Sequence, residues 1–424
     1  MFGWEFPPHI SGGLGTACYG LTKGLAKIPN LEVTFVVPKI FGDEQRNSVS
    51  LIGANQIPMV KKSVKVKGFI KPMSILEVGV NLIPYLSPEQ YQKEFKINVG
   101  RVNRYVKTND KGMIEFSGEY GPSLFQEIAN YAVVAWILGS ELEFDIIHAH
   151  DWLTYPAGLA AKAVSGKPLV VHVHATDFDR SGGEVNPGVY EIEKQGMIEA
   201  DRVITVSNFT RNTVIEKYGI DPAKVFTVYN AVEPIAEKEN LNIRKGFDEK
   251  IVTFLGRITM QKGPEYFVEV AYKVLQRMDN VRFVMAGSGD MLNKMIARAA
   301  QLQITDKFHF TGFLCGDDVY RMYYMSDVYV MPSISEPFGI SPLEAMQSNV
   351  PVIISNQSGV AEILNHAIKV DFWDVDAMAD AIYGILNYSA LDKMFTTYGK
   401  SEVEGLKWEN SALKVKEIYD SVCV

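Results

Sequence analysis

The chain has 424 residues, 47% of them hydrophobic and 22% charged, with a formal net charge of -8. At about 150 residues per domain, this length makes two or three domains that can each bury a core, and the composition excludes wholesale disorder. The negative balance argues against a general nucleic-acid binder.

The opening MFGWEFPPH has no basic region followed by an apolar core, so it is not a signal peptide. It reads as the end of a first strand beginning almost at Met1, with a few upstream residues missing from the start. Short apolar runs then recur at 33–38, 144–150, 168–175, 201–207 and 224–230. Their nearly continuous apolar character suits parallel strands covered on both faces. Helical patterns at 14–27, 122–138 and 186–199 lie between them, which predicts a doubly wound α/β domain. The segment 57–118, rich in Lys, Val and Gly, reads as an inserted hairpin or meander. A polar stretch from Glu233 to Lys250 reads as a linker. The alternation restarts with strands at 251–256, 281–287, 307–312, 327–333 and 350–355, and helices at 264–277 and 291–302. The tail from Lys407 reads as an amphipathic helix. No apolar run approaches the roughly 18 residues that span a bilayer. Cys18, Cys315 and Cys423 are spaced for neither a zinc site nor a disulfide framework, so a reducing, cytoplasmic compartment is expected.

In open α/β sheets, ligands bind beyond the C-terminal ends of the strands, so the loops there carry the chemistry. Gly12 and Gly13 lie in HISGGLGTACYG, where amides at a helix start can approach an anion; a tight turn that needs glycine is the plain alternative. Asp151 and Trp152, in HAHDW, suit a sugar through hydroxyl bonding and ring stacking. His174 ends a strand in HVHATDFDRSGG, a loop crowded with two His, two Asp and an Arg. Arg257 and Lys262 follow a strand and precede Gly263-Pro264, where two cations suit a diphosphate; two solvated surface charges are the alternative. Gly287 opens another glycine turn, GSGD. The most specific loop is PSISEPFGISPLEAM, which holds Glu336 and Glu344. Ser341, Pro342 and Glu344 fit a capping box, a role Glu344 could combine with ligand binding. Glu336 has no comparable structural reason.

Together these residues resemble the retaining glycosyltransferases of the GT-B fold, especially the family of bacterial and archaeal glycogen synthases and their relatives. Glu336 and Glu344, with Arg257 and Lys262 upstream, match that family's most specific signature; HISGGLGT resembles its glycine loop, and HAHDW its His-Asp-Trp motif. The resemblance covers nearly the whole chain. It implies an α/β fold with two Rossmann-like doubly wound domains, 1–232 and 250–404, facing across a cleft, and a helix at 405–424 returning to the first. It implies that Arg257 and Lys262 bind the donor diphosphate, Glu336 the sugar hydroxyls and Glu344 the ribose. His174 would lie near the reacting carbon, and Gly12 and Gly13 near the distal phosphate or sugar. Phe313 and Leu314 would meet the base, Gly339 and Ile340 the sugar or phosphate. Gly287 joins the donor side, and Asp151, Trp152 and Asp177 the acceptor side. Ile10-Ser11 stand where plant and enterobacterial synthases carry Lys-Val, so this loop lacks that lysine and fits the broader family.

The implied activity is transfer of a hexose, most simply glucose, from ADP-glucose or UDP-glucose to a glycan such as glycogen, with another glycan or a lipid acceptor as the alternative. Retention at the anomeric carbon is implied, with no cofactor and no metal. Four rivals remain. Asp177-Phe178-Asp179 matches the Asp-x-Asp pattern of metal-dependent glycosyltransferases, although Asp374-Val375-Asp376 shows how easily that pattern recurs. A nucleotide-sugar epimerase and a non-catalytic sugar-nucleotide sensor would share the fold. Lys61, Lys62, Lys65, Lys67 and Lys71 suit either anionic lipid or the wet face of a hairpin.

Overall fold

A computed structural model describes residues 1–9, 12–44, 49–58, 108–118, 120–234 and 248–423. Ile10 and Ser11, the five lysines at 61–71, most of the expected insertion and most of the expected linker lie outside the described residues. At the described margins of the insertion, antiparallel bridges pair Pro58 with Met113 and Thr108 with Ile114.

The chain divides into two compact units, Met1–Asn230 with Trp408–Val424, and Ala231–Lys407. In the first, Phe2 bridges in parallel to both Val36 and Ala149, so the first residues form a minimal strand inside the sheet. The sheet runs β2 (Ser50–Gly53), β1 (Thr34–Val37), the Phe2 segment, then β3 (Ile147–His150), β4 (Leu169–Val173), β5 (Arg202–Thr205) and β6 (Val225–Thr227). All pairings are parallel. All five residues of β4 are buried, as a strand covered on both faces requires. The helix Trp408–Asp420 packs on the helix Gly13–Leu25. The approach is close: a Cβ on Gly20 would lie 2.1 Å from Trp408 Cε2, and one on Gly24 2.6 Å from the Trp408 carbonyl oxygen. Ser411 Oγ adds a 2.7 Å bond to the Tyr229 carbonyl.

The second unit has the sheet order β9 (Phe308–Gly312), β8 (Val281–Ala286), β7 (Lys250–Leu255), β10 (Val328–Met331), β11 (Val352–Ser355), β12 (Ile368–Val370), again all parallel. Counted from the first strand of each unit, the second sheet follows the doubly wound order 3-2-1-4-5-6, and the first follows the same order with a seventh strand added at the end. The order reverses between β7 and β10 in the second unit, and between the Phe2 segment and β3 in the first. In doubly wound folds the loops leaving the strands at such a reversal are where ligands bind. No helix among the described residues is long and apolar enough to cross a membrane.

Candidate functional site

The two loops at the crevice of the second unit are stitched together. After β7, the turn Met260–Lys262 ends in Gly263, whose φ of +64° favours glycine and whose Cβ would come 2.0 Å from the Pro332 carbonyl oxygen. Pro264 then opens the helix Pro264–Leu275. Ile334 N–H donates to the Gln261 carbonyl at 2.9 Å, locking the loop after β10 to the loop after β7. That closeness brings Lys262 Nζ onto the Glu336 carboxylate, the side chains being 22% and 8% exposed. The Glu336 backbone is fixed on both sides, donating to Gln357 and accepting from Gly359, each at 2.9 Å. Ser333 Oγ approaches the carboxylate at 3.4 Å. Such a half-dry ion pair contributes little net stability, since desolvation offsets the attraction. It does hold a cation and an acceptor in a fixed place.

Next to this pair, Gly339 has φ +101°, and a Cβ there would meet Met331 at 3.2 Å and Glu336 at 3.3 Å. The expected capping box at Ser341 does not form. Ile340 is the cap residue of the helix Ser341–Gln347, and no side chain bonds the exposed amides. Two buried tyrosines have captured the groups instead: Tyr329 OH bonds Ser341 Oγ at 2.8 Å, and Tyr323 OH donates to Glu344 at 3.3 Å. Burial pushes the Glu344 carboxyl above its usual range. Nothing in the sequence distinguished these tyrosines from ordinary core residues.

Gly287 has a packing reason of its own. Its φ is +142°, and a Cβ would lie 1.8 Å from the Gly256 carbonyl oxygen, where the ends of β7 and β8 meet. Arg257 is half-buried, and its charge partly offsets the burial that pushes the Asp290 carboxyl up. After β9, Phe313 is 61% exposed, and Leu314 packs on Ile251, Val284 and Met322.

In the first unit, Gly12 and Gly13 are exposed at the start of the helix Gly13–Leu25. Gly12 is extended at φ -178°, and a Cβ on either glycine would meet nothing within 4 Å. Among the described residues, neither crowding nor a left-handed backbone calls for glycine here.

The three residues expected on the acceptor side are all buried. Trp152 is 3% exposed inside the core, against Phe125 at a centroid distance of 5.7 Å, so its ring offers no face to a sugar. Asp151, at φ +60°, turns its carboxylate inward to accept the amides of His174 at 2.7 Å and Ala175 at 3.3 Å. It thereby ties the end of β3 to the end of β4, and burial lifts its pKa to about 6. Asp177 is buried, accepting Asn186 N–H at 2.5 Å and lying 3.7 Å from Arg180 Nε. Asp179 closes a capping box with Thr176, at 2.7 and 2.8 Å. Both carboxylates of the Asp-x-Asp pattern therefore serve the fold. His174 is half-buried, 3.0 Å from His150 Nδ1 through its Nε2, and burial lowers its pKa to about 3.

Residues 237–402 match the family "Glycosyl transferases group 1", and residues 114–235 match "Glycosyltransferase Family 4". The chain belongs to the GT-B glycosyltransferase superfamily. An uncharacterised glycosyltransferase of Methanocaldococcus jannaschii is 29% identical across 99% of this chain and 97% of its own length. A glycogen synthase of Mycobacterium tuberculosis is 25% identical across 65% of this chain and 68% of its own. Among solved structures, sucrose-phosphate synthase from Thermosynechococcus elongatus superposes with a TM-score of 0.69 over 97% of this chain and 94% of its own, at 18% identity. Anabaena HepE in complex with UDP and glucose gives 0.60 over 70% and 83%, also at 18% identity. At these identities the structures show the GT-B fold alone. The glycosyltransferase thus carries its Lys262–Glu336 pair at the crevice of its group 1 region.

Proposed function

We propose that this glycosyltransferase moves a hexosyl group, glucose, from a nucleoside diphosphate sugar to a glycan hydroxyl, with retention at the anomeric carbon. The observation that carries the reading is the Lys262–Glu336 pair at the point where the strand order of the second unit reverses. Departure of the diphosphate is the difficult event. Lys262 and Arg257 lower the cost of the charge that develops on it, while Glu336 holds sugar hydroxyls and Glu344 the ribose. Fixed donors of this kind are commonly worth several kcal/mol each, about 3–4 per oxyanion donor, because they need no reorganisation during reaction. On this reading the two side-chain cations do the work of a metal. Phe313 and Leu314 meet the base, and Gly287, Gly339 and Ile340 line the donor; the family resemblance assigns Gly12, Gly13 and His174 to the sugar.

An α-glucan such as glycogen is the proposed acceptor, which the glycogen synthase among the relatives supports. The test is a screen of ADP- and UDP-sugars, each with glycogen, short maltooligosaccharides and lipid-linked sugars, with the product anomer read by NMR. Transfer of glucose to a glucan with an α product supports the proposal. A β product, or transfer only to a lipid-linked acceptor, would overturn it.

A further inference from the structure

The geometry points to a zinc-type metal site in the first unit, formed by Cys18, His150 and His174. His148 and His150 project from one face of β3, and His172 and His174 from the same face of the chain leaving β4. The register His150↔His172 brings these four rings together. His148 and His150 stack at 4.3 Å, as do His172 and His174. Cys18, buried on the helix Gly13–Leu25, completes a cluster with His150 and His174 in which one ligand atom from each lies within 4.8 Å of the others.

Two trios of ligand atoms lie close enough for an ion in this stack, and geometry separates them. In His148, His150 and His172 the rings are nearly parallel, with interplanar angles of 20°, 13° and 28°. Lone pairs lie in the ring plane, so parallel rings cannot aim at one centre without rotating. The His150 and His174 rings are tilted by 37°, with Nδ1 of one 3.0 Å from Nε2 of the other. In a tetrahedral zinc site, bond lengths of about 2.0–2.1 Å to nitrogen put two such atoms about 3.3 Å apart, so a small opening of the pair admits the ion. Only this trio contains a cysteine, whose sulfur, once deprotonated, is the ligand that matches a soft or borderline cation. His174 is half-buried, which gives the ion a way in.

A second observation concerns the rest of the stack. Both ring nitrogens of His172, His150 Nε2 and His148 Nε2 are buried with no hydrogen-bond partner among the described residues. Buried polar atoms are rarely left so; three of the four belong to His148 and His172 and the fourth is the other nitrogen of His150, so they mark a polar cluster beside the trio and are not its ligand atoms. Burial and the nearby Asp151 and Glu5 push the Cys18 thiol pKa up, so the sulfur keeps its proton until an ion displaces it. On binding, the Cys18 thiol proton passes to solvent and the sulfur takes up the metal bond; no electrons change hands. The ion would join the helix behind the glycine loop to the ends of β3 and β4.

Cobalt(II) is a suitable probe, since a thiolate ligand gives it a charge-transfer absorption that imidazole alone does not. The full chain carrying Cys315→Ser and Cys423→Ser, freed of metal by chelator, is titrated with cobalt and then zinc. One equivalent with a charge-transfer band, displaced by zinc and absent after Cys18→Ser, supports the site. His174→Ala, at the half-buried rim, should weaken cobalt binding at least about tenfold with the circular dichroism unchanged, which covers the case where the Cys18 variant misfolds. No charge-transfer band in the folded chain, or a band and affinity that survive either substitution, would overturn it. The readout is independent of sugar transfer.

Discussion

Lys262 and Glu336 are 74 positions apart in the chain, yet they form an ion pair across the two loops where the sheet order reverses. Gly263 makes this possible, because any side chain there would collide with Pro332. The pair explains why neither residue acts alone: each orients the other before a donor arrives. Lys262→Ala and Glu336→Ala should each lower kcat by about 10²–10³, the loss typical of one preorganised charge-stabilising donor. The double variant should lose less than the product of the two single losses, because residues that work as a unit are not additive. Initial rates with the best nucleotide sugar, alongside urea midpoints, check this. Fully multiplicative losses would show that the two act independently.

Trp152 gives a prediction of the opposite kind. As a core residue beside Phe125, it should cost about 3–5 kcal/mol when cut to alanine. Trp152→Phe should keep the acceptor KM close to that of the parent chain. Urea unfolding and acceptor saturation curves separate the two roles. A raised KM in a Trp152→Phe protein of normal stability would restore Trp152 to the acceptor site.

The alternation of strands and helices was legible because parallel strands buried on both faces leave unbroken apolar runs, such as Leu169–Val173. The loops at the strand-order reversal were legible because Arg257, Lys262 and Glu336 follow such runs. What the chain does not write down is depth and register. The polar neighbours in HAHDW make Trp152 look like a surface ring, and only the helices packed over it show otherwise. Asp177 and Asp179 have the spacing of metal ligands, but Asn186, Arg180 and Thr176 occupy them. The alternation in HAH and HVH does put each histidine pair on one strand face. That the two faces coincide depends on β3 pairing with β4 in one register, which spacing alone does not fix.

The glycines of the first helix carry a packing prediction. Gly20→Ala would push a methyl group into the Trp408 indole, whose ring is confined in the core. Overpacking of this kind costs about 1–3 kcal/mol. The helix Trp408–Asp420 should then become the first point of proteolytic cleavage while the second unit keeps its resistance. Unchanged urea midpoints and an unchanged digestion pattern would show that the helix shifts freely.

The last prediction concerns pH. Glu193 is buried beside Arg180, at 2.6 Å, with Asp177 near and Tyr218 OH donating to it. One guanidinium serves two buried carboxylates, and burial raises the Glu193 pKa to about 8 from an ordinary 4.5. The Asp177 carboxyl is raised for the same reason. Between those limits the folded chain keeps a proton that the unfolded chain has released. Stability from this group is therefore complete below pH 4.5 and is lost as pH rises towards 8. The slope for one proton is at most about 1.4 kcal/mol per pH unit. Glu193→Gln keeps the shape and removes the titration, so its stability should be flatter across the same window. Urea midpoints at half-unit steps from pH 5 to 8 measure the difference between the two proteins, which cancels the titrating groups that do not interact with Glu193. A parent chain whose stability falls no faster with pH than that of the variant would show that Arg180 holds Glu193 ionised throughout.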